Sequence, residues 1–75
     1  MTYGELFKQI RIEKGLSLAD LADADISPSF IGKFERNQSR ISADWFIRLL
    51  QKMQVSLDEF IYRVDDHKSG LRFMT

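Results

Sequence analysis

Apolar residues recur along this chain at helical spacing. Tyr3, Leu6, Phe7 and Ile10 fall at i, i+3, i+4 and i+7, as do Phe46, Leu49, Leu50 and Met53, and again Leu57, Phe60, Ile61 and Val64. Each set marks one buried face of a helix. Capping signals fit these stripes: Thr2 with Glu5 and Ser56 with Glu59 have capping-box spacing, Ser42 precedes the second stripe, and Gly15 is placed to end the first helix in a left-handed turn. The pattern predicts an all-α chain of five helices, over about residues 2–14, 18–24, 28–36, 43–53 and 57–64. No alternating β-branched run suggests a strand. From Asp65 the periodicity stops, so residues 1–64 are expected to form the domain and residues 65–75 a linker or flexible tail.

The two central helices are short and closely spaced. Ser17 is an N-cap with Asp20 in the following turn, where a negative charge suits the helix dipole. Ser27 is the next N-cap. Pro28 follows it at the first helical position, where its missing N–H is tolerated and its fixed φ is already helical. The interval from Ser17 to Ser27 holds only about two helical turns and a connection. Such compactness points to a helix-turn-helix, in which the second helix can project into a DNA groove.

Composition narrows the classes. The 75 residues suffice for one domain with a small core, and with no cysteine that core is held by packing alone. No metal site or cofactor is suggested. His67 is the only histidine and has neither cysteine nor clustered carboxylates to build a catalytic or metal centre, which argues against an enzyme. No apolar run approaches the roughly 18 residues of a membrane span, and the amino-terminal stretch lacks a signal-peptide core. A cytoplasmic protein is expected.

Net charge is zero, whereas DNA-binding domains are usually basic. The distribution is uneven: residues 1–26 carry −2, residues 27–52 carry +3 and the remainder −1. The basic stretch includes Lys33, Arg36, Arg40, Arg48 and Lys52, where phosphates would lie in such a fold. On charge alone, a phosphate-facing surface and an ordinary solvated face are equal readings.

The third helix sharpens the choice. At about 100° per residue, Phe30, Ile31 and Phe34 share one side, the expected core side. Ser29, Gly32, Lys33 and Arg36 share the other. That side offers a small hydroxyl, a residue without a side chain and two long cations, a shape suited to close approach of a helix to DNA. Gly32 costs roughly 1 kcal/mol relative to alanine inside a helix, so a packing or contact reason is expected for it. Relief of crowding is the plainer explanation, with Lys33 then a solvated charge.

At this level the chain resembles a known family. The run KGLSLADLADADISPSFIGKFERNQSRIS is similar to the phage-repressor (XRE, or Cro/CI) type of helix-turn-helix, and within it to the amino-terminal domain of Rgg/MutR-type transcriptional regulators. Matching residues include Gly15, Leu16, Ser17, Leu21, Ala22, Ile26, Ser27, Ser29, Ile31, Phe34, Glu35, Arg36, Ile41, Ser42 and Phe46, and the later VSLDEF from Val55 to Phe60. The resemblance implies a compact five-helix, lambda-repressor-like DNA-binding domain. It implies a homodimer on double-stranded DNA, with the third helix in the major groove and Ser29 and Lys33 facing bases. Residues matching Ser17, Ser27, Arg36 and Arg40 sit near phosphates in the family. The whole expected DNA-binding set is Ser17, Ser27, Pro28, Ser29, Gly32, Lys33, Arg36, Asn37, Gln38 and Arg40. Arg11 and Glu35 match a buried ion pair between the first and third helices, a structural role.

The chain also departs from the family pattern. Leu18 stands where phage repressors usually carry a phosphate-contacting glutamine, and the turn after the second helix is shorter and lacks their glycine. Trp45 replaces a common polar residue, as core or as a partner contact. Rgg-type regulators continue into a helical-repeat domain that dimerises, so dimerisation is expected through such a C-terminal domain, or through the fifth helix with Leu71 or Phe73. The competing function is a protein-interaction module, an antitoxin or adaptor on a repressor-like fold, using the fifth helix and Trp45. The acids Asp20, Asp23 and Asp25 are the feature least suited to DNA.

Overall fold

The computed structural model describes residues 1–68, with side chains through residue 65. Among the described residues all regular structure is helical: α1 (Tyr3–Glu13), α2 (Leu18–Leu21), α3 (Pro28–Glu35), α4 (Ala43–Lys52) and α5 (Leu57–Lys68). Each start has a local cause. Thr2 Oγ1 accepts the Glu5 N–H at 3.1 Å while the Glu5 carboxylate accepts the Thr2 N–H at 2.9 Å, a complete capping box. Ser17 and Asp20 repeat the arrangement on α2. Ser27, Ser42 and Ser56 accept the N–H of Phe30, Trp45 and Glu59 on α3, α4 and α5.

Three helices end in one way. Gly15, Asn37 and Gln54 take left-handed backbone, φ 71°, 63° and 60°. In each case the next N–H reaches back across the turn: Leu16 to the Arg11 carbonyl, Gln38 to Lys33 and Val55 to Leu50, at 3.0, 2.8 and 3.0 Å. These are Schellman caps, and Leu16 and Val55 fold back onto the core as the motif favours. Only Gly15 adopts the conformation without steric cost.

The core gathers the expected stripes except at the first positions of two of them, Tyr3 and Leu57, which are 45% and 42% exposed. Leu6, Phe7 and Ile10 of α1 meet Ile31 and Phe34 of α3, Phe46, Leu49 and Leu50 of α4, and Phe60 and Val64 of α5. Phe7, Phe34, Phe46 and Phe60 form a continuous run of edge-on rings with centroids 5.0–6.0 Å apart. α1 lies close to α3 because Gly4 has no side chain. A Cβ there would stand 2.3 Å from the Phe34 carbonyl oxygen and 2.9 Å from that of Glu35.

Two helix boundaries differ from the sequence expectation. α2 stops at Leu21, not near Ala24, because the Asp23 Oδ1 accepts the N–H groups of both Asp25 and Ile26 at 2.9 Å. That side-chain turn gives the backbone an alternative to the helix. α5 continues through Lys68, past the end of its apolar stripe at Val64. The remaining tail residues, with Leu71 and Phe73, lie outside the described residues. Leu57, expected in the α5 stripe, is 42% exposed because it sits in the first turn, beyond the edge of the core.

Candidate nucleic-acid interface

The outer side of α3 carries the expected residues, with one exception. Ser27, Pro28, Ser29, Lys33, Arg36, Asn37, Gln38 and Arg40 are exposed, as is Ser17 at the start of α2. Gly32 is buried. Its helix face is covered by α2, so that a Cβ there would meet Leu18 Cδ1 at 3.5 Å and the Arg36 guanidinium at 3.4 Å. The expectation that Gly32 lies open to DNA is therefore corrected: Leu18 of α2 covers it, at ordinary van der Waals distance. Leu18, in place of the family glutamine, has turned inward to pack against the core.

Asn37 combines two positions. Its backbone makes the left-handed cap of α3, and its Oδ1 lies 3.1 Å from where a Gly4 Cβ would be, so its side chain touches α1 as well as solvent. Phe30 is half-buried, packing its ring edge-on against Trp45 at 5.3 Å. This pair bolts the amino end of α3 to that of α4, which gives Trp45 a core contact.

Arg11 and Glu35 meet as a bidentate pair, Nε to Oε2 at 2.7 Å and Nη2 to Oε1 at 3.0 Å. Arg11 Nη1 also donates to the Leu16 carbonyl at 3.0 Å. The Glu35 side chain is 3% exposed and that of Arg11 12%. The pair thus ties α1, its C-terminal turn and α3 together, and holds α3 from the side facing away from solvent.

The basic stretch divides into two groups. Lys52 Nζ bonds Asp23 Oδ2 at 2.7 Å and the Leu21 carbonyl at 2.8 Å, while Arg48 Nη1 reaches Asp25 at 3.1 Å and Asp23 at 3.4 Å. The hydrogen bond from Lys52, with those from the Ile26 and Asp25 backbone, holds the Asp23 carboxyl far below the usual carboxylate range. Arg48 is shifted upward by its bond to Asp25. These two cations are therefore spent inside the molecule, and the expectation that the α4 charges face phosphate is corrected. Lys33, Arg36 and Arg40 make no ion pair among the described residues. Asp20 is held low by the Ser17 N–H and is committed to capping α2.

Sequence reasoning missed the clasp on Asp23 and the packing role of Gly4. An Asp-x-Asp turn and an i, i+4 Arg–Lys pair on α4 were visible separately, but only the fold brings them together. Among the described residues, no group of three His, Cys, Asp or Glu side chains could hold a metal ion, and no helix is long and apolar enough to cross a membrane.

Five helices around one aromatic core, with α2 packed across α3 and the outer side of α3 open, form a domain of the helix-turn-helix class. A helix-turn-helix family model matches residues 7–60, and the chain belongs to that family, in its XRE-type branch. It is 35% identical over 66 residues to the HTH-type transcriptional regulator SinR of Bacillus subtilis (strain 168), spanning 87% of this chain and 57% of SinR. It superposes on the SHP pheromone receptor Rgg2 of Streptococcus dysgalactiae with a TM-score of 0.80 and 35% identity, over 83% of this chain and 23% of the receptor. The chain thus spans little more than half of one relative and under a quarter of the other.

Proposed function

We propose that this chain binds double-stranded DNA sequence-specifically in transcriptional regulation, with α3 in the major groove. Ser29 and Lys33 face base edges. Ser17, Ser27, Arg36 and Arg40 lie along the phosphates, where cations and free helix-terminal N–H groups position the domain. Pro28 and Gln38 flank this surface at either end of α3, and Asn37 adds its exposed edge. Binding is as a homodimer on two half-sites about 34 Å apart.

One observation carries this reading: the cations without internal partners in the basic stretch, Lys33, Arg36 and Arg40, all lie on α3 or the loop after it, while Arg48 and Lys52 neutralise the acidic turn. The acids that spoke for an adaptor are thereby occupied or capping. The test is fluorescence anisotropy with labelled duplex DNA across a salt series. The two phosphate-facing cations, Arg36 and Arg40, give a slope of log affinity against log salt of about −2 per domain. Salt-independent binding, or none at low salt, would overturn the proposal.

A further inference from the structure

The connection between α2 and α3 is held from outside itself. Asp23 is its hub. One carboxylate oxygen accepts two backbone N–H groups of the turn, those of Asp25 and Ile26, and the other accepts Lys52 and Arg48 from α4. The Asp23 N–H in turn donates to the Ile26 carbonyl at 3.0 Å, closing the turn on itself. Lys52 also donates to the Leu21 carbonyl, at the C-terminal end of α2, where helix carbonyls lack intrahelical partners. Ile26, fully buried, immediately precedes Ser27, the N-cap that sets where α3 begins.

These bonds converge on a four-residue helix, too short to hold its own orientation by internal hydrogen bonding. α2 nevertheless lies across α3 through Leu18 and Gly32. The angle between them, and the point at which α3 leaves the turn, therefore depend on what ties the turn to the longer α4. We infer that Asp23 is the positioning residue of the helix-turn-helix, clasping the turn to Lys52 and Arg48 so that α3 is presented to DNA at a fixed angle. This rests on the DNA-binding reading above. It assigns Asp23 no DNA contact of its own.

The clasp has a signature that electrostatics alone would reverse. Asp23→Asn removes a negative charge near a DNA-binding surface and frees two cations, so a purely electrostatic role predicts tighter binding to every duplex. A positioning role predicts that general binding is retained or rises while discrimination falls. The experiment uses a duplex enriched by the wild-type chain from a randomised pool and a scrambled duplex of the same composition. Affinities for both are measured by anisotropy for wild type, Asp23→Asn, Lys52→Met and the double variant, below their thermal midpoints.

The expected result is a selected-to-scrambled affinity ratio lowered about tenfold in each single variant, with the double variant little worse than either. Asp23→Glu, which keeps the charge but lengthens the arm, is expected not to restore the ratio. An unchanged ratio in folded Asp23→Asn, or fully additive losses, would overturn the clasp while leaving DNA binding intact. A wild-type chain that enriches no duplex would overturn the DNA-binding reading and this inference together. If Asp23→Asn does not fold, Lys52→Met alone decides, since it leaves the turn's own Asp23 hydrogen bonds in place.

Discussion

Removing the Glu35 carboxylate is the sharpest test of how α3 is held. Glu35→Ala leaves the Arg11 guanidinium with a side chain only 12% exposed and a single hydrogen bond, to the Leu16 carbonyl. It also deletes two charge-assisted bonds of 2.7 and 3.0 Å. Stranding one partner of a buried pair costs about 3–5 kcal/mol. A domain of this size has a total stability of roughly 5–10 kcal/mol, so the loss takes a large part of it. At about 4–8 °C per kcal/mol, the thermal midpoint should fall by roughly 12–40 °C. Thermal denaturation followed by circular dichroism measures this directly. The paired change Arg11→Met with Glu35→Leu removes both charges together and should be less destabilised than Glu35→Ala, because no charge is left stranded. Since the pair lies on the side of α3 away from solvent, the folded fraction of Glu35→Ala should bind DNA as wild type does. An unchanged midpoint, or lost DNA binding without lost stability, would refute this account of the pair.

Other consequences are equally measurable. Gly4→Ala drives a methyl group into the Phe34 and Glu35 carbonyl oxygens and should cost about 3 kcal/mol by urea denaturation. Gly32→Ala meets only ordinary contacts and should raise stability by up to about 1 kcal/mol; a loss would show that Leu18 cannot pack over a methyl group there. Lys33→Ala should weaken binding to a selected duplex by about 1–3 kcal/mol if it reads a guanine. Arg40→Ala should instead weaken binding to all duplexes alike and reduce the salt slope by about 1. The Asp23 carboxyl titrates below its ordinary value of 3.8 in the folded chain, so the stability it contributes is complete above that value and is lost as pH falls toward the folded one. In a pH series of thermal midpoints, the advantage of wild type over Asp23→Asn should hold near neutrality and shrink below about pH 4; an advantage that grew in acid would refute it.

What was legible in the sequence was what local chemistry and periodicity control. The three apolar stripes and the serine and threonine caps specify where helices start and which face each buries, and the core followed. Resemblance supplied the Arg11–Glu35 pair, which no local pattern announces because its partners are 24 residues apart. The errors arose where tertiary contacts override local preference. Asp23 reads as a tolerable helical residue until its carboxylate is seen to capture two N–H groups and two cations. Gly32 reads as solvent-facing on a wheel of α3 alone, and only the placement of α2 through Leu18 covers it. Arg48 and Lys52 look like any basic face until the turn is brought against them. In each case the missing term was which element lies over the residue, a quantity that periodicity within one helix does not contain.

The central claim, that α3 and the loop after it form a DNA-reading face, is tested most directly by amide-resolved NMR titration of the chain with duplex DNA at low salt. The account predicts shifts at Ser17, from Ser27 through Lys33 and from Arg36 through Ser42, reversed by added salt, with Asp23 and the α5 amides little changed. No shifts on α3, or shifts concentrated on α5 and Trp45, would contradict it.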